Sequence, residues 1–199
     1  MWCRCGYCFY SADIRKRVHQ SYLIVCDTDW RKFLKSELAY LECTDQESKL
    51  AAISRSSKYT GHVKICPSCE CLRLVLPKND YVFYYQYEET NISLEQCQCG
   101  YHFNELVSVR KREYESYTII CDKNYRKFLK ADLAILKDTA HSLKPDMAVC
   151  SSKYIRAARR CPICKRFLFA LARKSNVACY QLDEIGEWVG GKLTLSSVR

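Results

Sequence analysis

Cys66-Pro67-Ser68-Cys69 and Cys161-Pro162-Ile163-Cys164 are two copies of one short motif that stand 95 residues apart in a chain of 199 residues. A second cysteine pair precedes each copy, Cys3-Arg4-Cys5 in the first half and Cys97-Gln98-Cys99 in the second half. Other stretches between these anchors also return in register: Cys26-Asp27 as Cys121-Asp122, Arg31–Lys35 as Arg126–Lys130, and Ser56–Tyr59 as Ser151–Tyr154. The chain is therefore predicted to contain two copies of one structural unit.

The paired cysteines predict a metal site in each unit. Four thiolates form the tetrahedral set that Zn²⁺ prefers, and two tight cysteine pairs brought together in space usually supply it. The glycines that follow the first pairs, Gly6 and Gly100, let backbone amides turn toward the sulfurs, and proline stiffens the second pairs. We expect two zinc ions per chain, held by Cys3, Cys5, Cys66 and Cys69 and by Cys97, Cys99, Cys161 and Cys164.

The ligand sets have two competitors. Cys8 aligns with His102, another competent zinc ligand, so this pair could replace the first cysteine of each set. Cys71 could compete only in the first unit, because Arg166 takes its place in the second.

The cysteines also allow chemistry other than structural zinc binding. A disulfide framework is one alternative, although the count of 15 cysteines is odd and the N-terminus lacks the pattern of a secretory signal. Because four thiolates close the coordination shell, we expect a structural rather than a catalytic metal, with an electron-transferring iron as the other choice. Cys26 and Cys121 each precede a predicted helix start, which suits either a thiolate nucleophile or a small buried residue.

The cysteine turns resemble those of zinc ribbons and rubredoxin-like domains, in which Cys-Pro-x-Cys turns grip one metal between two hairpins. The resemblance implies a zinc-ribbon-like domain in each half of the chain. Two features depart from the usual pattern: the first pair is Cys-x-Cys, and about 60 residues separate the two pairs of each unit. That distance leaves room for a helical insertion.

Strand and helix patterns fill the space between the cysteine pairs. Tyr7–Ser11 and Tyr22–Cys26 are rich in aromatic and branched residues and are predicted to form a hairpin, as are Leu72–Leu76 and Tyr81–Tyr87. A helix capped by Asp27 or Thr28 is predicted from an apolar stripe whose members recur at helical spacing: Trp30, Phe33, Leu34, Leu38 and Leu41. A second helix is predicted to begin at Thr44, which forms a capping box with Glu47.

These patterns predict an α+β fold. It would be a tandem repeat of two zinc-ribbon-like domains, each with antiparallel hairpins and a helical insertion between its Cys-x-Cys and Cys-Pro-x-Cys turns. The predicted boundaries are residues 1–90 for the first repeat, 91–96 for a linker, 97–184 for the second repeat and 185–199 for a C-terminal hairpin or flexible tail.

Positive charge is concentrated in the second half of the chain. Residues 1–94 carry 13 Lys and Arg against 11 Asp and Glu, whereas residues 95–199 carry 19 against 11. Such a basic surface could neutralise phosphates of a nucleic acid, or it could be an ordinary solvated face. The candidate nucleic-acid-binding residues are Arg110, Lys111, Arg112, Arg126, Lys127, Lys130, Arg156, Arg159, Arg160, Lys165 and Arg166.

The sequence favours a non-enzymatic, cytoplasmic zinc-binding protein that acts as a nucleic-acid-binding adaptor or regulator. It offers no triad, phosphate-binding loop or acid-base carboxylate pair, and no apolar run long enough for a membrane span. One alternative is a protein-protein interaction module or assembly factor in a larger complex. The other is a thiol redox protein that uses Cys26 and Cys121.

Overall fold

The structure is a computed structural model that describes residues 3, 5–9, 20–77, 81–90, 92–103, 114–130, 154–170, 177–189 and 192–197. The strands in these ranges are β1 (Gln20–Cys26), β2 (Thr60–Ile65), β3 (Leu72–Val75), β4 (Tyr81–Glu88), β5 (Glu115–Cys121), β6 (Ile155–Arg160), β7 (Phe167–Ala170), β8 (Val177–Val189) and β9 (Lys192–Ser197). The helices are α1 (Trp30–Glu42), α2 (Gln46–Ser57) and α3 over residues 125–130.

The strands form one antiparallel sheet that closes on itself. Neighbouring strands follow the order β4-β3-β2-β1-β5-β6-β7-β8-β9, and β4 also pairs with β8. This last pairing makes β1 to β8 a closed eight-stranded barrel and leaves β9 outside it, as the partner of β8. Closure gives each of the eight barrel strands a hydrogen-bonded neighbour on both sides.

The predicted α+β tandem of two zinc-ribbon-like domains is wrong. The first half of the chain supplies β1 to β4, the second half supplies β5 to β8, and two seams join them, β1 with β5 and β4 with β8. The predicted hairpin between Tyr7–Ser11 and β1 is also wrong, because β1 pairs with β2 on one side and β5 on the other. Residues 10–11 of that segment lie outside the described residues. Alternating apolar residues indicate which face of a strand is buried, but they do not specify its neighbour.

An approximate two-fold axis relates the two halves of the barrel. In the first seam Ile24 pairs with Ile119, its counterpart 95 residues later, and in the second seam Gln86 pairs with its counterpart Gln181. Residues beside the first pair exchange partners as such an axis requires: Tyr22 with Cys121 and Cys26 with Tyr117. Because the axis passes through the middle of both seams, it exchanges the two ends of the barrel.

Every barrel strand contributes side chains to one common core. Its buried members include Ile24, Val63, Leu72, Tyr85, Ile119, Ala158, Phe167 and Tyr180, one from each of β1 to β8 in turn. These residues lie on the inner faces of their strands, since successive side chains in a strand point to opposite faces. The two halves therefore share a hydrophobic core.

The helices cover the outer face of the seam between β1 and β5. Val25 and Ile120 point outward from this seam and pack with Trp30, Phe33 and Phe128 of α1 and α3. The rings of Trp30 and Phe128 approach to 5.8 Å between centroids, so the two helices contact each other. The predicted apolar stripe of α1 packs against the barrel at its N-terminal end, whereas Leu41 near its C-terminal end is 49% exposed.

Both helix starts differ slightly from prediction. A 3-10 turn, Asp27–Asp29, separates β1 from α1. The N-cap of α2 is Asp45 rather than Thr44, and its carboxylate accepts a hydrogen bond of 2.7 Å from the Ser48 amide. A carboxylate three residues before a free amide is a strong cap, which explains why the helix starts one residue later.

None of the helices in the described part of the chain has the length and apolarity that crossing a membrane requires.

Candidate metal centres

The Cys-x-Cys turns have the same backbone geometry in both halves. The Cys3 amide donates to the Tyr7 carbonyl at 2.7 Å and the Gly6 amide to the Cys3 carbonyl at 3.0 Å. The counterpart bonds, from Cys97 to Tyr101 and from Gly100 to Cys97, measure 2.8 and 2.9 Å. Both glycines have φ of +88°, a conformation that a side chain would strain, so the turns require glycine.

The Cys-Pro-x-Cys turns join β2 to β3 and β6 to β7. In the first, the Cys66 amide bonds to the Cys71 carbonyl and the Glu70 amide to the Cys66 carbonyl, both at 3.0 Å. The second turn repeats these bonds at equivalent positions, at 2.9 and 3.1 Å. Glu70 and its counterpart Lys165 have φ of +57° and +59°, which non-glycine residues adopt at a cost of about 1 kcal/mol. Both turns retain this strained geometry.

The turns assemble two groups of four closely spaced cysteines that could each hold a metal ion. The sulfur atoms within each group all lie within 4.8 Å of one another, in the sets Cys3, Cys5, Cys66, Cys69 and Cys97, Cys99, Cys161, Cys164. The shortest sulfur separations are 3.4 to 3.5 Å. A disulfide requires about 2.05 Å. Zinc with bonds of about 2.3 Å would place tetrahedral sulfurs about 3.8 Å apart, so both groups fit that ion.

The predicted competitors are not members of these groups. Cys8 and His102 both lie outside the four-sulfur clusters, and His102 is exposed. Cys71 lies next to the first cluster, and burial followed by a hydrogen bond to Cys69 raises its pKa to about 12.

Small apolar clusters pack against the buried cysteines of both metal centres. Cys3 and Cys66 pack with Phe9 in the first, and Cys97 and Cys161 pack with a larger set in the second: Phe103, Tyr114 and Leu168. Burial raises the pKa of the Cys3 and Cys97 thiols. Without a metal these two sulfurs are therefore neutral, and metal binding must displace their protons.

In the second centre a charged residue, Arg166, takes the position that Cys71 has in the first. Arg166 donates to Glu88 from Nε to Oε2 at 2.7 Å and from Nη2 to Oε1 at 3.2 Å. Burial raises the pKa of Cys164, but hydrogen bonds from the Arg166 amide and guanidinium outweigh burial and lower that pKa to about 7. Nothing in the local sequence marks Glu88, because its partner lies 78 residues away.

The predicted nucleic-acid-binding residues that the structure describes do not form one surface. Arg159 is buried, donates to the Leu94 carbonyl, and lies over the rings of Phe103 and Tyr114. Arg160 points into the barrel on the other face of β6 and pairs with Glu115 at 3.2 Å. Arg156 shares the inward face of β6, and Arg166 bonds to Glu88. The exposed candidates are Arg126, Lys127, Lys130 and Lys165, whereas Arg110, Lys111 and Arg112 lie outside the described residues.

Cys26 and Cys121 lie near opposite ends of the first seam. Cys121 lies opposite Tyr22, and Cys26 lies opposite Tyr117. Because Tyr22 and Cys26 are four residues apart on β1, about 14 Å of strand separates the two thiols. The Cys26 sulfur lies 3.1 Å from the Thr28 hydroxyl. The two thiols are too far apart to form a disulfide with each other.

The fold and these clusters define a closed antiparallel barrel that carries two four-cysteine groups, each able to hold one metal ion. Comparison of the chain with protein-family models, curated protein sequences and solved structures found no match. The likeness to zinc ribbons is consequently limited to the cysteine turns.

Proposed function

We propose that the protein is a non-enzymatic zinc-binding protein that binds nucleic acid through its helical layer. One Zn²⁺ in each four-cysteine group would be structural, because four protein thiolates leave no coordination position for a substrate. Iron is the alternative metal for a four-sulfur set, and its visible absorbance would distinguish it from colourless zinc. The wide separation of Cys26 and Cys121 disfavours a dithiol redox centre.

Each zinc ion would staple a distant segment to the barrel. In the first centre the ligands Cys3 and Cys66 are separated by more than 60 residues, and the first belongs to a segment outside the barrel strands. Closing so long a loop costs conformational entropy, which metal binding offsets. The two-fold axis places one such staple at each end of the barrel.

A basic helical surface carries the proposal of nucleic-acid binding. We define this surface as the exposed cations of α1 and α3: Arg31, Lys32, Lys35, Arg126, Lys127 and Lys130. The buried sides of both helices face the same seam, so these cations lie on the same side of the molecule. Lys32 is partly neutralised by Asp29 at 2.9 Å, but its counterpart position Lys127 is exposed on α3.

The surface has the same two-fold relation as the barrel. Phe33 and Leu34 of α1 and Phe128 and Leu129 of α3 are all buried, and the cations on either side of each pair are exposed. Phosphates along a nucleic acid are neutralised by such repeated Lys and Arg side chains. Two groups of cations related by a two-fold axis also match the two-fold symmetry of a duplex.

The test is binding of a fluorescent duplex of about 20 base pairs, and of its single strand, at about 50 and 200 mM salt. Arg126→Glu with Lys127→Glu and Lys130→Glu should abolish binding, and the single variant Lys127→Glu should weaken it and lower the salt slope by about one. Lys165→Glu, which removes the same charge at the second cysteine turn, is the matched control and should bind like the unmodified protein.

Two results would overturn the proposal. Equal weakening by Lys127→Glu and Lys165→Glu would mean general charge attraction rather than a defined surface. No salt-dependent binding to any nucleic acid would leave an acidic protein as the partner class of this surface, as expected for an interaction module.

A further inference from the structure

The two-fold axis allows the ends of the barrel to be compared residue by residue. At the end near the second metal centre, Arg160 lies with its guanidinium over the Phe83 ring at 4.6 Å and pairs with Glu115 at 3.2 Å. The Tyr117 hydroxyl also donates to Glu115, at 2.8 Å. A guanidinium stacked on an aromatic ring and held by a carboxylate therefore fills this end.

The other end of the barrel keeps the tyrosine hydrogen bond of this arrangement but lacks its arginine and its phenylalanine. The counterpart of the Tyr117–Glu115 bond is present, since the Tyr22 hydroxyl donates to Gln20 at 2.7 Å. The counterpart of Arg160, however, is Ile65, and the counterpart of Phe83 is Ala178. The guanidinium and the phenyl ring that fill one end are thus both replaced by smaller apolar side chains.

A cleft of about 360 Å³ lies at this end, within the range of about 300–1,000 Å³ typical of small-ligand sites. The described residues that line it are Gln20, Ile65, Cys66, Pro67, Glu70, Tyr87, Ala178 and Tyr180. Two of them are aromatic, and the rings of Tyr87 and Tyr180 meet edge to face at 5.7 Å between centroids. Glu70 is exposed at the rim and carries the one carboxylate among the described lining residues.

The chemistry of the lining favours a cation. The faces of tyrosine rings attract guanidinium groups, and a carboxylate binds a guanidinium through paired charge-assisted hydrogen bonds. Nearby, Arg156 and Asp122 both lie close enough to Tyr22 to affect its pKa, but their charges oppose each other and neither lines the cleft. Among the described residues that line the cleft, Glu70 therefore supplies the carboxylate that could pair with a cation.

We propose that this cleft binds a guanidinium group, supplied by an arginine side chain, in the place that Arg160 occupies at the opposite end of the barrel. The guanidinium lies against Tyr180 and Tyr87 and pairs with Glu70, while the Gln20 carbonyl oxygen accepts one of its protons. The site lies beside the first metal centre and includes residues of β4 and β8. It does not involve the basic helical surface. The proposed guanidinium site does not depend on whether the protein binds nucleic acid.

Calorimetric titration of the full-length protein tests the proposal and separates two sources of the guanidinium. The probes are free L-arginine, the peptide Gly-Gly-Arg-Gly-Gly and the matched peptide Gly-Gly-Lys-Gly-Gly. We expect saturable binding of the arginine peptide and at least about tenfold weaker binding of the lysine peptide, because an ammonium cannot form the paired, stacked geometry. Tight binding of free arginine alone would identify the amino acid, rather than a protein segment, as the ligand.

Two variants locate the binding. Glu70→Gln keeps the size of the side chain and should weaken the arginine peptide at least about tenfold, as expected when a charge-assisted pair is lost. The double variant Gln20→Glu with Ile65→Arg introduces the glutamate and arginine of the opposite end of the barrel, so its own arginine should occupy the cleft and abolish binding. Glu89→Gln, an exposed glutamate on the same half of the chain, is the control and should leave binding unchanged.

The proposal is overturned if the unmodified protein shows no saturable binding of either arginine probe at about millimolar concentration. It is also overturned if the lysine peptide binds equally well, or if Glu70→Gln binds as the unmodified protein does. Should the double variant fail to fold, the Glu70→Gln result alone decides.

Discussion

Ile24 and Ile119 lie directly opposite each other across the seam between β1 and β5, and each is the sequence counterpart of the other. Both side chains point into the barrel, where Ile24 is fully buried and Ile119 is 1% exposed. A pairing of two counterpart residues places the two-fold axis of the protein at this point. The same relation recurs at Gln86 and Gln181, so the two halves meet twice around one core.

The shared core predicts that neither half folds alone. Residues 1–96 and 97–199, expressed separately, should each lack a cooperative unfolding transition, because each would expose the inner face of a four-stranded sheet. Mixing the two fragments should restore the near-ultraviolet circular dichroism of the full chain. Sedimentation and thermal unfolding measure both outcomes. A fragment that unfolds cooperatively as a monomer would show instead that the halves are independent domains.

The cysteine clusters predict a metal content of two ions per chain. Native mass spectrometry of protein purified without added metal should give two zinc ions, and Cys66→Ser should give one, because three thiolates bind zinc far more weakly than four. Cys8→Ser removes a cysteine of the same region that is not in the cluster, and it should retain two ions. Loss of metal in the Cys8→Ser variant would reassign the ligand set.

Arg159 is predicted to act in stability rather than at a binding surface. Arg159→Ala should lower the unfolding free energy by about 3 kcal/mol, because it removes a charged hydrogen bond to the Leu94 carbonyl and contacts with two aromatic rings. The exposed Lys127→Ala should change it by no more than about 0.5 kcal/mol. Urea unfolding at neutral pH provides both values. A stable Arg159→Ala protein would contradict this role.

The pair between Glu88 and Arg166 predicts a pH-dependent part of the stability. A hydrogen bond from Arg166 lowers the pKa of Glu88, so the folded state favours the ionised carboxylate. This contribution, about 1 kcal/mol, is present above about pH 4.3, the ordinary glutamate pKa, and is lost as pH falls through the lower folded-state value. Glu88→Gln should therefore be less stable at pH 7, by an amount that shrinks in strongly acidic solution.

Urea unfolding at neutral and acidic pH measures this difference. Metal content measured at each pH shows whether the variants lose metal together, because Arg166 also bonds to Cys164. Glu89→Gln, an exposed neighbour, should match the unmodified protein at every pH. A Glu88→Gln deficit that stays constant with pH would assign the effect to packing.

Gly61 is predicted to be irreplaceable because β3 passes very close to it. A Cβ atom at this position would lie 2.1 Å from the Val75 carbonyl oxygen and 3.0 Å from the Ile24 side chain. Since the clashing atom is backbone, Gly61→Ala should force β2 and β3 apart and cost about 2 kcal/mol or more. Thermal unfolding measures the loss, and an unchanged transition would mean that the strands can shift without cost.

Local features of this chain were readable from the residues. The cysteine turns were predicted at Cys66-Pro67-Ser68-Cys69 and its counterpart, because a metal-binding turn depends on a few neighbouring residues. The β3 and β4 hairpin and the buried N-terminal half of α1 were likewise indicated by short-range periodicity. The α2 cap was displaced by one residue, since Thr44 and Asp45 both offer a suitable oxygen and only the backbone geometry selects one.

The sequence by itself determined the duplication and the cysteine groups, because each follows from residue type and spacing. Only the tertiary structure decided that the halves close one barrel, because strands pair through backbone hydrogen bonds that carry almost no sequence information. For the same reason Arg159 and Arg160 could not be assigned from sequence, since neighbouring residues on a strand point to opposite faces. Burial of their guanidinium groups depends on Leu94 and Glu115, which come near only when the barrel forms.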